Sequence, residues 1–131
     1  MDSAGAQAWL DRYVAAWLSY DPEEIGALFA ADIAYRYHPH DEPVRGREAV
    51  VADWLGEASA DGSSDRNLPG TYAASYTPVA VDGDVVVATG TSTYFTAPGG
   101  PVAREYSNCF VMRFDSAGQC REFTEYYVQR P

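Results

Sequence analysis

The hydrophobic period of this chain changes once, and that change constrains the fold more than any motif does. Through about residue 58, apolar residues recur at three- and four-residue spacing; from Thr71 onward they alternate. Helices followed by half-buried strands and tight turns make an α+β protein, with the helices laid on one face of the sheet. In the helical half, Trp9, Leu10, Tyr13, Val14, Trp17 and Leu18 share one face of a helix over 4–19. Asp21-Pro22-Glu23-Glu24 ends it and opens a second: Asp21 is the N-cap, Pro22 suits the first helical position, and Glu24 completes a capping box. The second helix buries Ile25, Leu28 and Phe29 and ends near Ala31. A short strand over 33–38 puts Ile33, Tyr35 and Tyr37 on one side. Gly46 precedes a third helix over 47–58, burying Val50, Val51, Trp54, Leu55 and Ala58, and 59–70 reads as a loop. Strands follow at about 71–81, 84–96, 103–114 and 119–129. Their turns are Asp82-Gly83, Pro98-Gly99-Gly100-Pro101 and Asp115-Ser116-Ala117-Gly118.

The chain's 131 residues suit one domain, 1–131, with 47% hydrophobic residues to build its core. A formal net charge of -10 argues against nucleic acid and anionic membranes as partners. All 9 basic residues are arginine, so lysine Schiff-base chemistry is excluded. No apolar run approaches a membrane span, and no basic stretch precedes an apolar one near Met1, so neither an anchor nor a secretory signal is expected. Cys109 and Cys120 flank the last turn. If Cys109 faces a residue near position 124, Cys120 lies roughly 13 Å along the ladder. A disulfide tolerates no more than about 7 Å between Cα atoms, so two reduced thiols and a cytoplasmic setting are expected.

Residues 35–46, Tyr35-Arg36-Tyr37-His38-Pro39-His40-Asp41-Glu42-Pro43-Val44-Arg45-Gly46, hold both histidines between the helical and stranded halves. A polar segment stiffened by two prolines at such a junction suits a pocket mouth. His38 is a candidate base or proton relay, against the plainer reading of a strand-end histidine bonded to Asp41 or Glu42. His40 points to solvent. Pro39 restricts the backbone between the histidines, which argues against a metal site made of His38, His40, Asp41 and Glu42. Ten tyrosines are many for this length. Tyr13, Trp17, Tyr35, Tyr37, Tyr94 and Tyr106 together suit a flat, largely apolar ligand bearing a few oxygens.

Four short stretches carry a resemblance: Arg12-Tyr13-Val14-Ala15-Ala16; Ala27-Leu28-Phe29-Ala30-Ala31-Asp32; Glu42-Pro43 before Gly46-Arg47-Glu48-Ala49; and Met112-Arg113-Phe114 before Gly118. In that order and spacing the chain resembles the nuclear-transport-factor-2-like superfamily, and within it the SnoaL-like and ketosteroid-isomerase-like branch. The resemblance implies a cone-shaped barrel, a curved, mostly antiparallel sheet wrapped by three N-terminal helices around a pocket. It also implies a homodimer, and no cofactor. Tyr13 matches the family's first-helix oxyanion donor. The family's general-base aspartate is replaced by Tyr37 or His38, depending on the alignment, and its second donor, a protonated aspartate, by Phe110. Two of three catalytic parts being absent, ketosteroid isomerisation by that route is not expected.

The last turn decides which carboxylate faces the pocket. A four-residue loop pairs Phe114 with Gln119 and sets Asn108, Phe110 and Met112 beside Arg121, Phe123, Glu125 and Tyr127; a three-residue bulged loop brings in Glu122, Thr124 and Tyr126 instead. The resemblance favours the first. Glu125 is then the pocket acid, with Glu122 the fallback, and Glu125, His38 and Tyr13 are the catalytic candidates. Trp17, Tyr35, Tyr37, Asn108, Phe110, Phe123 and Tyr127 would contact a small hydrophobic ligand. Two functions fit: a cofactor-independent isomerase, cyclase or hydratase, and a non-catalytic ligand-binding or dimerisation module.

Overall fold

The computed structural model describes residues 1–56 and 66–131. Helix α1 (Ser3–Ser19) is capped by Asp2, whose carboxylate accepts from the Gly5 amide at 2.7 Å. It buries Ala6, Trp9, Leu10, Tyr13 and Ala16. Leu18, expected on this face, is 57% exposed; at 3.6 residues per turn it points about 180° away from Trp9. Helix α2 (Pro22–Ala27) begins with Asp21 accepting from the Glu23 and Glu24 amides at 2.8 and 3.3 Å. The expected capping box is not completed. Glu24 accepts from the Ser19 hydroxyl at 2.6 Å, and the Asp21 amide donates to the same hydroxyl.

Strand β1 (Phe29–Arg36) starts where the second helix was expected to continue. The cause is long-range. Phe29 pairs in parallel with Cys120, and the Leu28 carbonyl accepts from both the Cys120 amide and the Trp9 indole at 2.9 Å. A two-residue strand, β2 (Val44–Arg45), pairs antiparallel with β1 and has no signature in the hydrophobic pattern. Helix α3 (Arg47–Leu55) stops short of its expected end, with Gly56 at φ 65° as its cap. Ala58 and the loop positions 59–65 lie outside the described residues.

The remaining strands are β3 (Tyr72–Asp82), β4 (Val85–Phe95), β5 (Val102–Phe114) and β6 (Cys120–Gln129). The sheet order is β2-β1-β6-β5-β4-β3, antiparallel throughout except for the β1–β6 pair. β2 and β3 are the edges of this curved, mixed sheet, which is open and is wrapped by the N-terminal helices, as in the cone of the sequence reading. The fold is the α+β arrangement expected. Helix α1 covers the inner face: Trp9 meets Phe114 edge-on at 5.3 Å, while Tyr13 stacks on Phe123 at 5.7 Å and tilts against Phe110 at 5.2 Å.

The β5–β6 hairpin pairs Phe114 with Cys120, not with Gln119. Continued without interruption, that register would set Met112 opposite Glu122 and turn Glu122, Thr124 and Tyr126 inward. A one-residue bulge at Arg121 intervenes, so Arg113 faces Glu122, Met112 faces Phe123 and Phe110 faces Glu125. Arg121, expected inside, lies on the outer face and bonds Asp84 at 2.9 Å. Both cysteines are free. Cys120 lies across from Phe114, five residues along β5 from Cys109. That is about 16 Å, beyond disulfide reach.

Candidate functional site

Between α1 and the inner face of β3–β6 is a cavity of about 230 Å³. Seven of the ten tyrosines line it: Tyr13, Tyr37, Tyr72, Tyr76, Tyr94, Tyr106 and Tyr127. Trp17, Asn67, Ser92, Arg104, Asn108 and Glu125 complete the wall. The period of two explains the concentration. Tyr72 and Tyr76 on β3, Ser92 and Tyr94 on β4, and Arg104, Tyr106 and Asn108 on β5 fall at inward positions of antiparallel strands. Gly90 makes room for them. A Cβ there would lie 2.0 Å from the Ser75 carbonyl oxygen and 2.5 Å from Tyr76 Cδ1. Its bare backbone lets the Tyr76 ring lie against β4.

Glu125 is the carboxylate in this wall. Its Oε1 accepts from Asn108 Nδ2 at 2.8 Å, and Asn108 Oδ1 accepts from the Ser92 hydroxyl at 3.0 Å. Asn108 is buried and uses its amide at both ends, which fixes the pose of Glu125. Desolvation pushes the Glu125 carboxyl above its usual range; the Asn108 hydrogen bond and the nearby His38 offset part of the rise. Burial also pushes up Tyr13, Tyr72, Tyr76 and Tyr94, and the Glu125 charge adds to each shift. Tyr37, raised by burial, donates to Asp53 on α3. At neutral pH the cavity therefore presents a ring of neutral phenolic donors around one carboxyl group.

His38 is not part of the wall. Its Nε2 meets the Tyr127 hydroxyl at 2.7 Å and its Nδ1 meets Asp41 Oδ2 at 2.8 Å, so it touches the cavity only through Tyr127. The His38 hydrogen bond is the main reason that the Asp41 carboxyl sits below its usual range. His40 is 80% exposed at its side chain and approaches the other Asp41 oxygen at 3.5 Å. Among the described residues, no group of three or more His, Cys, Asp or Glu side chains is placed to hold a metal ion.

Three expected contact residues stand behind the wall. Phe110 and Phe123 are fully buried and pack ring to ring at 4.8 Å, and Tyr35 stacks on Phe123 at 4.5 Å. The Tyr35 hydroxyl is buried without a hydrogen-bond partner among the described residues. Glu125, Tyr13, Trp17, Tyr37, Asn108 and Tyr127 do reach the cavity, as do Tyr94 and Tyr106. Glu122 lies outside, 3.3 Å from Arg113. The sequence reading missed Asn67, Tyr72, Tyr76, Ser92 and Arg104. For the four on strands the signal was present as inward parity against β4 and β5; Asn67 lies in irregular chain and had none.

A curved open sheet closed on one side by helices around a polar-tipped aromatic cavity defines a cone-shaped α+β pocket protein. Residues 10–123 match the SnoaL-like domain, and the chain belongs to that family, within the nuclear-transport-factor-2-like superfamily. The structure of an LEH-like epoxide hydrolase from M. tuberculosis shares the fold, with a TM-score of 0.63 and 16% identity over 96% of this chain and 84% of the other. Comparison with curated proteins finds no match. No helix among the described residues is long and apolar enough to cross a membrane.

Proposed function

We propose that this protein is a cofactor-independent enzyme that moves a proton on a small hydrophobic oxygenated compound, with Glu125 as the transferring group. The observation that carries the reading is the Asn108–Glu125 hydrogen bond of 2.8 Å inside a tyrosine-lined cavity. A carboxyl group oriented by an amide and desolvated above its usual pKa is suited to acid–base work near neutrality. As base, Glu125 takes a proton from carbon beside a carbonyl and returns it at a second carbon, which is an isomerisation. The Tyr13 hydroxyl, kept neutral by burial, donates to the oxygen on which charge develops. Asn108 is the positioning residue for Glu125. His38 acts through Tyr127, as a relay between the cavity and solvent. Water activation for epoxide opening is the neighbouring chemistry, and the LEH-like relative makes it the second substrate class to assay. Reduced Cys109 and Cys120 are in keeping with a cytoplasmic setting.

The test is deuterium uptake from D2O, followed by NMR, into a panel of β,γ-unsaturated ketones, alongside hydrolysis of a matched epoxide panel. Glu125→Gln keeps the shape and should lower turnover about 10²–10⁴-fold. A binding module is the second reading, favoured by Phe110 and by Tyr37 or His38 standing where the family's aspartates would be. In that case no panel member turns over, and Glu125→Gln changes only affinity.

A further inference from the structure

We propose that Arg104 forms an anion subsite at one end of the cavity, so that the ligand is a small aromatic or alicyclic carboxylate. The inference rests on the cavity being the ligand site of the function proposed above. Arg104 is the only cationic side chain in the cavity wall among the described residues. Its guanidinium lies over the Tyr94 ring, 4.4 Å from the centroid. Stacking on an aromatic face holds a guanidinium while leaving its edge donors available. Arg104 has no carboxylate partner among the described residues. The adjacent Glu105 turns to the opposite face, where Arg130 takes it at 2.7 Å. In a chain of net charge -10, a guanidinium left uncompensated beside a cavity is notable in its position.

Arg104 and Asn108 both point inward on β5, four residues apart, so their Cα atoms are about 13 Å apart. The cavity is thus polarised along its length. Arg104 stands at one end, the Ser92–Asn108–Glu125 chain at the other, and tyrosine rings between. A ligand that fills it has an anionic oxygen pair at one end and a flat apolar body, with its reacting carbon or oxygen at the Glu125 end. A carboxylate fits the planar fork of arginine in two parallel hydrogen bonds, which a neutral amide or ester cannot reproduce.

The probes are 2-naphthoate and 2-naphthamide, equal in shape and differing in charge, with binding read by calorimetry and by quenching of intrinsic fluorescence. The wild-type chain should bind the acid about tenfold more tightly than the amide, a difference that falls as salt is raised. Arg104→Gln should bring the two to equal affinity. Glu125→Gln should keep the preference for the acid. Equal affinities in the wild type, or an unchanged preference in Arg104→Gln, overturn the subsite while leaving the cavity reading intact. If neither probe binds, the cavity reading falls and the subsite falls with it.

Discussion

Gly90→Ala tests whether the cavity is shaped by a missing side chain. Glycine in a strand interior normally weakens it, so on propensity alone the change should stabilise by roughly 0.5–1 kcal/mol. The contacts point the other way. The new Cβ would sit 2.0 Å from the Ser75 carbonyl oxygen and 2.5 Å from Tyr76 Cδ1. Ordinary contact needs about 3.4 Å, and the nearest atom is backbone, so β3 and β4 must part or β4 must rotate. Forcing a group into a packed site of this kind costs about 1–3 kcal/mol, and a backbone obstacle places it at the upper end. The net expectation is a loss of about 2 kcal/mol, or roughly 6–10 °C in Tm at this chain length. Gly26→Ala is the matched control. Its Cβ meets nothing nearer than 3.7 Å, and it lies within α2, so that change should stabilise by up to about 1 kcal/mol. Urea unfolding followed by tryptophan fluorescence gives both values. A Gly90→Ala midpoint at or above that of the wild type would refute the steric reasoning.

Glu125→Gln should also have a pH signature in stability. A carboxyl raised by burial binds its proton more tightly folded than unfolded, so the wild type loses stability as pH climbs from the unfolded value, about 4.3, through the raised folded value. Glu125→Gln should match the wild type at acid pH and exceed it at neutral pH; a constant difference at all pH values would show that the carboxyl is not desolvated. We further propose that the chain dimerises through the outer face of its sheet. There the rows Thr77–Thr89–Cys109–Tyr126 and Val87–Val111–Thr124 form an uncharged surface, with Val111 38% and Tyr126 46% exposed. Light scattering at micromolar concentration should give twice the chain mass, and Tyr126→Glu should halve it; a monomeric wild type would rule this interface out.

The fold was legible where local pattern and long-range pairing agree. Helix α1 and the three turns of β3–β6 could be read because amphipathic period and turn residues are local signals, whereas the inward face of Glu125 was chosen from the resemblance. The end of α2 could not, because Phe29 continues the apolar spacing of Ile25 and Leu28 yet is drawn into a parallel pair with Cys120. β2 is too short to carry any period. Within the site, Glu125 was found with the wrong cross-strand partner. The expected register set it opposite Asn108; the structure sets it opposite Phe110, two residues along, and a shift of two preserves the face. His38 was recognised as a polar group near the mouth, but its separation from the cavity by Tyr127 depends on a contact across 89 positions of sequence. Arg104 was passed over because an exposed arginine near a strand start is common, and only the fold shows what lies beneath it.

The bulge at Arg121 makes β6 a strand with two possible contents. Residues 122, 124 and 126 and residues 123, 125 and 127 are alternative texts for the cavity wall, and one unpaired residue outside the site selects between them. Point substitution edits such a wall one letter at a time. Were Arg121 to pair with Arg113 instead of bulging, the reading frame of the sheet itself would shift. Glu122, Thr124 and Tyr126 would then face inward, while Phe123, Glu125 and Tyr127 would be left in water. Deleting Arg121 removes only the unpaired residue and leaves Glu122 opposite Arg113, so it should spare ligand binding, as should Arg121→Ala; loss of binding on deletion alone would show that the bulge itself holds the register. Lineages of this fold thus have a route to a new pocket that passes through the pairing of one residue rather than through composition.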